Sequence, residues 1–229
     1  MRRGICFDLD GTLLQPHGDW LGWVTSLARS LAVPETQQGA FRHALERATE
    51  RSGALTLALA CRSALASIGR DEPADLDARA HHACNAYARG VHADPDAAAL
   101  LARLAAAGVP LAAVTNGPVD MQRAALRCAG LERWLRITLV SGAAEVAVRK
   151  PHPRMFWQAV TALRVRPEDA LMVGDDLEAD VWGAHRFGLA TCWLARVGAA
   201  APYRPPPPGT VIVPDLAAAG AYVDAFLSG

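Results

Sequence analysis

Two aspartates stand two residues apart in Phe7-Asp8-Leu9-Asp10-Gly11-Thr12, directly after the apolar run Ile5-Cys6-Phe7. The run has strand composition and Gly11 ends it with a turn. Side chains two apart on a strand point the same way, so Asp8 and Asp10 converge beyond its carboxyl end. Carboxylates that close repel, and the pair needs a cation, a shared proton or both. A plain acidic turn has the same letters, since Asp and Gly are ordinary turn residues. A calcium loop would need further acidic ligands and a terminal Glu, which do not follow Thr12.

Residues of complementary chemistry recur further on. Thr115-Asn116-Gly117 follows the apolar run 111–114, Gly174-Asp175-Asp176 follows 171–173, and Lys150-Pro151 precedes a segment opened by Pro153. Three acids, a hydroxyl, an amide and a lysine would then face one crevice, which an isolated acidic turn does not explain. A hard divalent cation suits oxygen ligands from two strand ends, and magnesium suits a site that also takes phosphate. Asp8 and Asp175 would ligate it through side chains and Asp10 through its backbone carbonyl. Asp8 could attack a phosphoryl group in line, while Asp10 protonates the leaving oxygen and later accepts a proton from water. Thr115 and the N–H groups around Asn116 would hold phosphoryl oxygens, and Lys150 would offset the charge of the transition state. Asp176 reads as a first-turn helix acid and Asp180 as a partner for Lys150.

The elements that must position these groups fall into two styles. From Gln15 to Arg89 the pattern is helical throughout: Leu21, Val24, Leu27 and Leu31 share one face, as do Phe41, Leu45 and Ala48, and Leu76, Ala80, Ala83 and Tyr87. From Asp94 onward helices and strands alternate, with strands at 111–114, 137–140, 171–173 and 190–194. Asp94-Pro95 reads as the start of the first helix of this series, and helices follow at about 118–128, from 153, and at about 177–187. Such alternation gives an α/β fold with a parallel sheet covered by helices on both faces, and sites in such sheets lie at the strands' carboxyl ends. Beyond Leu194 only a stiff extended loop at Pro205 to Pro208 is assigned.

Composition narrows the function classes. The 229 residues can bury a substantial core, and 23 basic residues balance 23 acidic ones, so no global field draws the chain to nucleic acid or an anionic membrane. The five cysteines are scattered without Cys-x-x-Cys spacing and are expected as buried free thiols in a reducing cytoplasm. No apolar run reaches membrane-spanning length, and no signal-peptide core follows Met1. The seven histidines show no metal-ligand spacing. Trp20, Trp23, Trp157 and Trp182 read as packing residues.

With these motifs in order, the sequence resembles the haloacid dehalogenase-like superfamily, in its phosphatase branch with a helical cap of the C1 type. The resemblance is carried by Asp8-Leu9-Asp10-Gly11-Thr12, Thr115-Asn116-Gly117, Lys150-Pro151 and Gly174-Asp175-Asp176-Leu177-Glu178-Ala179-Asp180. It implies a Rossmann-like core (1–14 and 90–229), a helical cap (15–89) that selects substrate, magnesium, and a phosphoaspartyl intermediate at Asp8. A cytoplasmic monomer or homodimer acting on a small phosphorylated metabolite is expected, with no nucleic-acid or membrane partner. Asp10 separates the chain from the family's dehalogenases, which lack an acid two residues after the nucleophile. Gln15-Pro16-His17 departs from the Asp-Ser or Asp-Thr of many phosphoglycolate phosphatases and sugar-phosphate mutases. Thr115-Asn116-Gly117-Pro118 and Gly188 to Leu194 look most like members that dephosphorylate nucleoside monophosphates. A sugar-phosphate mutase and a non-enzymatic phospho-acceptor module are the alternatives.

Overall fold

The computed structural model describes residues 2–15, 18–196 and 203–229; Pro16 and His17 lie outside them. Strand β1 (Gly4–Phe7) is buried along its whole length, as a central strand covered on both faces must be. Its neighbours are β2 (Leu111–Thr115) and β4 (Ala170–Gly174), both parallel to it. With β3 (Ile137–Val140), β5 (Ala190–Leu194) and β6 (Val211–Val213) they form a six-stranded sheet in the order β3-β2-β1-β4-β5-β6. The chain runs outward from β1 to β3, then returns across it to β4. The reversal leaves a crevice beyond the carboxyl ends of β1 and β4.

Register sets what faces that crevice. Phe7 pairs with Ala113 on one side and Val173 on the other. Continuing that register, Asp8 leaves the sheet level with Val114 and Gly174, one residue short of Thr115 and Asp175. The N–H of Asp8 still donates to the Val173 carbonyl at 2.9 Å.

Alternation along the strands splits the core. Ile5, Phe7, Ala113, Leu171, Val173 and Cys192 pack on one face, against α5 (Ala97–Ala106), α6 (Val119–Cys128) and α9 (Leu216–Ser228). Cys6, Ala112, Val114 and Met172 pack on the other, against α7 (Pro153–Leu163) and the short α8 (Gly183–Phe187). The first set continues into α1 (Trp20–Ser30), α2 (Glu35–Thr49), α3 (Leu57–Ser67) and α4 (Leu76–Gly90). These four helices arise between β1 and α5, where the sequence shows unbroken helical periodicity. Asp19 and Thr56 cap α1 and α3 by accepting from the backbone N–H groups of Gly22 and Leu59.

The chain enters and leaves this helical segment side by side. Leu14 bridges Ala93, the N–H of Gln15 donates to the His92 carbonyl at 2.8 Å, and that of Asp94 to Leu13 at 2.9 Å. At its far end the α2–α3 turn docks on the sheet's loops. Leu55 donates to the Gly142 carbonyl at 2.8 Å and accepts from Val119 at 2.9 Å. The Asp120 carboxylate accepts from the N–H of Leu57 at 2.9 and 3.1 Å.

Four details differ from the sequence reading. Helix α5 begins at Ala97, because the Asp94 carboxylate is turned inward, accepting from the N–H of Asp96 and from Arg196. Residues Leu177–Trp182 form a π-helix ahead of α8. Strand β6 and helix α9 follow the proline-rich loop, α9 with Asp215 as its N-cap. All five cysteines are free, but Cys128 is exposed, and so is Trp157. Among the described residues no helix is long and apolar enough to cross a membrane.

Candidate active site

The loop after β1 is wound tightly enough to aim two carboxylates at once. Leu14 and Thr12 donate to the Leu9 carbonyl, and Gly11 to Leu14. Gly11 has φ +79°, and a Cβ there would come within 2.1 Å of an Asp175 oxygen. Both the backbone conformation and the approach of Asp175 therefore demand glycine. The Arg196 guanidinium fixes the loop from outside, donating to the carbonyls of Gly11 (2.8 Å) and Thr12 (3.3 Å) while paired with Asp94 at 2.7 Å.

Lys150 is the centre of the buried charge. Its Nζ lies 2.6 Å from Asp8 Oδ1, 2.6 Å from Asp180 Oδ1 and 2.6 Å from the Val114 carbonyl. Burial alone would lower the lysine's pKa, but Asp180 and Asp8 outweigh it and hold the ammonium protonated. Its backbone is clamped by one side chain, since the N–H donates to Asn116 Oδ1 at 2.8 Å and the carbonyl accepts from Asn116 Nδ2 at 3.0 Å. Asp180 reaches Lys150 because the π-helical turn is wide: the N–H groups of both Asp180 and Val181 donate to the Asp176 carbonyl. Asp180 Oδ2 in turn accepts from the N–H of Asp176. Asp176 itself is exposed and caps this helix, accepting from Glu178 and Ala179 at 2.8 Å.

Asp10 faces the opposite wall. Its Oδ2 accepts from Gln122 Nε2 at 2.8 Å, and Gln122 Oε1 accepts from the Thr115 hydroxyl at 3.2 Å. Dehydration and the charge of Asp8 push the Asp10 carboxyl up to about 6, against the hydrogen bond from Gln122. Asp175, whose carbonyl is held by the Trp193 indole at 2.9 Å, is pushed up to about 7, first by burial and then by Asp8.

These residues line a cavity of about 230 Å³ walled by Asp8, Asp10, Thr115, Asn116, Arg149, Lys150 and Asp175, with Asp176 and Asp180 behind. Every residue singled out from the sequence for catalysis, binding or metal thus lies on one cavity. Arg149 joins them on the cavity wall, while Gln122, Trp193 and Arg196 hold Asp10, Asp175 and the loop after β1 from outside it, and no motif announces any of the four. Five aspartates meet one lysine and one arginine here, leaving three negative charges uncompensated if all ionise. A phosphate dianion does not enter such a pocket unaided. Oxygen atoms of Asp8, Asp175 and Asp180 lie within 4.8 Å of one another, and the raised pKa values of Asp10 and Asp175 express the same excess. An all-oxygen, anion-rich donor set of this kind fits a hard divalent cation.

The fold and this constellation define a haloacid dehalogenase-like hydrolase, and the family's model matches residues 3–188. The chain belongs to that family. It is 44% identical over 102 residues to a phosphoserine phosphatase of Thermus thermophilus, covering 44% of this chain and 40% of that one. It is 32% identical over 202 residues to a ribulose-1,5-bisphosphate 5-phosphatase of Halopiger xanaduensis, covering 83% and 84%. A 2-haloacid dehalogenase from Pseudomonas syringae superposes with a TM-score of 0.73 at 22% identity over 99% of this chain and 100% of that one, a likeness of fold. The first of these relatives is spanned over only about two fifths of its length.

Proposed function

We propose that the chain is a magnesium-dependent phosphomonoesterase for a small metabolite, working through an aspartyl phosphate on Asp8. The observation that carries this reading is the division of labour between the two aspartates. Asp8 is bound to Lys150, while Asp10 is held apart from that pair by Gln122 on the other wall. Asp8 and Asp175 would hold Mg²⁺ through their carboxylates and Asp10 through its main-chain carbonyl, with Asp180 reserved for Lys150. The bound cation would supply compensating charge, so that a phosphoryl group is drawn to the carboxylates instead of repelled.

The Asp8 oxygen then forms a bond to phosphorus as the ester P–O bond breaks, and Asp10 delivers its proton to the departing alkoxide. The same carboxylate, now ionised, takes a proton from water, whose oxygen attacks phosphorus and releases phosphate and free Asp8. A group titrating near 6 suits both halves of that cycle. Lys150 stabilises charge on the phosphoryl oxygens. Thr115 contributes at the pocket wall, and Asn116 positions Lys150 through both its backbone groups.

Asp10 also favours this chemistry over dehalogenation, because a departing halide needs no proton and a departing alcohol does. Relatives named as phosphatases support the same choice. The pocket volume favours a compact substrate; a nucleoside 5′-monophosphate would have to extend its base toward the helices. In this reading 15–89 is a cap over a catalytic core of 1–14 and 90–229. Release of inorganic phosphate from p-nitrophenyl phosphate over many turnovers with Mg²⁺ tests the proposal. A single turnover would mark a phospho-acceptor module, and dependence on a bisphosphate activator with little phosphate release would mark a mutase.

A further inference from the structure

The pocket holds two cations, and only one has a role so far. Lys150 is fully engaged by two carboxylates and a carbonyl. Arg149, its neighbour in sequence, is half-buried on the same wall. Its Nη1 donates to the Thr49 carbonyl at the end of α2, at 2.8 Å. Among the described residues this is the one hydrogen bond found for a guanidinium with five N–H donors. Glu50 and Asp176 are the acids near enough to act on it. Both are exposed, and among the described residues no ion pair joins either of them to it. A guanidinium stays charged at any physiological pH, and its fork matches carboxylate and phosphate oxygens.

Position makes the unused donors informative. Arg149 leads directly into Lys150, whose backbone Asn116 clamps, so the arginine's main chain is fixed relative to the phosphoryl site. Its side chain spans from there to α2. It therefore stands between the pocket and the end of α2.

We propose that Arg149 receives a second negatively charged group of the substrate, a carboxylate or a second phosphate, and so selects doubly anionic phosphomonoesters. The inference rests on the phosphomonoesterase reading above and names its substrate class.

Three esters separate the possibilities: 3-phosphoglycerate carries a carboxylate, fructose 1,6-bisphosphate a second phosphate, and glycerol 3-phosphate neither. With Mg²⁺, the wild-type enzyme is expected to prefer one of the first two by kcat/KM. Arg149→Gln should lower kcat/KM for that ester about 10- to 100-fold more than for glycerol 3-phosphate, mostly through KM. Arg149→Lys should recover part of the difference, having charge without the fork. Whichever ester shows the effect identifies the second anion. An equal fall on all three esters with a lower Tm would make Arg149 a mere strut between α2 and the loop, and would overturn the inference. So would a wild-type enzyme that turns over p-nitrophenyl phosphate and glycerol 3-phosphate as well as either doubly charged ester. Failure on every phosphomonoester would instead remove the phosphomonoesterase reading, and this inference with it.

Discussion

Gln122 joins Asp10 to Thr115: its amide nitrogen donates to Asp10 Oδ2 at 2.8 Å and its carbonyl oxygen accepts from the Thr115 hydroxyl at 3.2 Å. The side chain is buried on α6, so neither bond is replaced cheaply by water. Gln122→Ala should slow the proposed turnover about 10- to 100-fold by releasing Asp10 from its wall. Gln122→Glu should be at least as harmful, since it sets a carboxyl directly against Asp10 in a pocket already rich in them. A pH–rate profile measures this, because losing the donated hydrogen bond should also move the limb assigned to Asp10 upward. Wild-type rates and an unshifted limb in both variants would remove Gln122 from the mechanism.

Asp8→Asn should abolish turnover and leave the fold intact, the amide being nearly isosteric but a poor nucleophile. Asp10→Asn should cost on the order of a hundredfold or more in rate. Esters with good leaving groups should suffer less than alkyl esters, because a phenolate departs without help. Equal losses across leaving groups, measured with a set of aryl and alkyl phosphates, would contradict proton donation by Asp10.

The cation and pH should be linked. Asp10 and Asp175 have folded-state values near 6 and 7, above the 3.8 of a free carboxyl. Between about pH 4 and 7 the folded chain thus binds more protons at these two groups than the unfolded chain does. Their contribution makes metal-free stability fall as pH rises through that window. Mg²⁺ should then raise Tm by more at pH 7.5 than at pH 5.5, by about 3 °C or more. Asp175→Asn should flatten both trends. Thermal melts with EDTA or Mg²⁺ at the two pH values test this, and identical slopes in wild type and Asp175→Asn would refute it.

Gly142→Ala should destabilise the protein by about 2 kcal/mol or more. A Cβ at Gly142 would lie 2.5 Å from the Leu55 carbonyl oxygen and 2.6 Å from that of Gly117. Both are backbone atoms already committed to hydrogen bonds, so the strain falls where the α2–α3 turn meets the sheet. Denaturant unfolding gives the energy. Faster hydrogen exchange at Leu55 and Leu57 would locate it, and no change there would count against docking as the cause.

Where the sequence was legible, the signal was local. Asp8, Asp10, Thr115, Asn116, Lys150 and Asp175 each follow an apolar run or open a helix, and strand ends in a parallel sheet share one edge. The Asp180–Lys150 pair was expected as well, although the π-helical turn that delivers Asp180 was not. Gln122, Arg149 and Arg196 carry no such mark. Gln122 lies mid-helix, and its reach to Asp10 exists only once the fold brings α6 to the loop after β1. Arg196 meets Gly11 across 185 residues. Asp94 misled for the same reason, its N-cap role being displaced by Arg196. Strand β6 is three residues long, too short for alternation to register, and α9 is rich in alanine and glycine with no charged face to contrast with its apolar one.

The paired crossing at Leu14 and Ala93 has a consequence for what the sheet can tolerate. Because the outgoing and incoming strands of chain touch there, the distance to be spanned is fixed before any of α1–α4 is specified. A longer, shorter or wholly different excursion could be spliced between those two points without disturbing a single rung of the β-ladder. Substrate choice could then drift through one segment while the reacting groups, anchored on the other side of the junction, stay where they are.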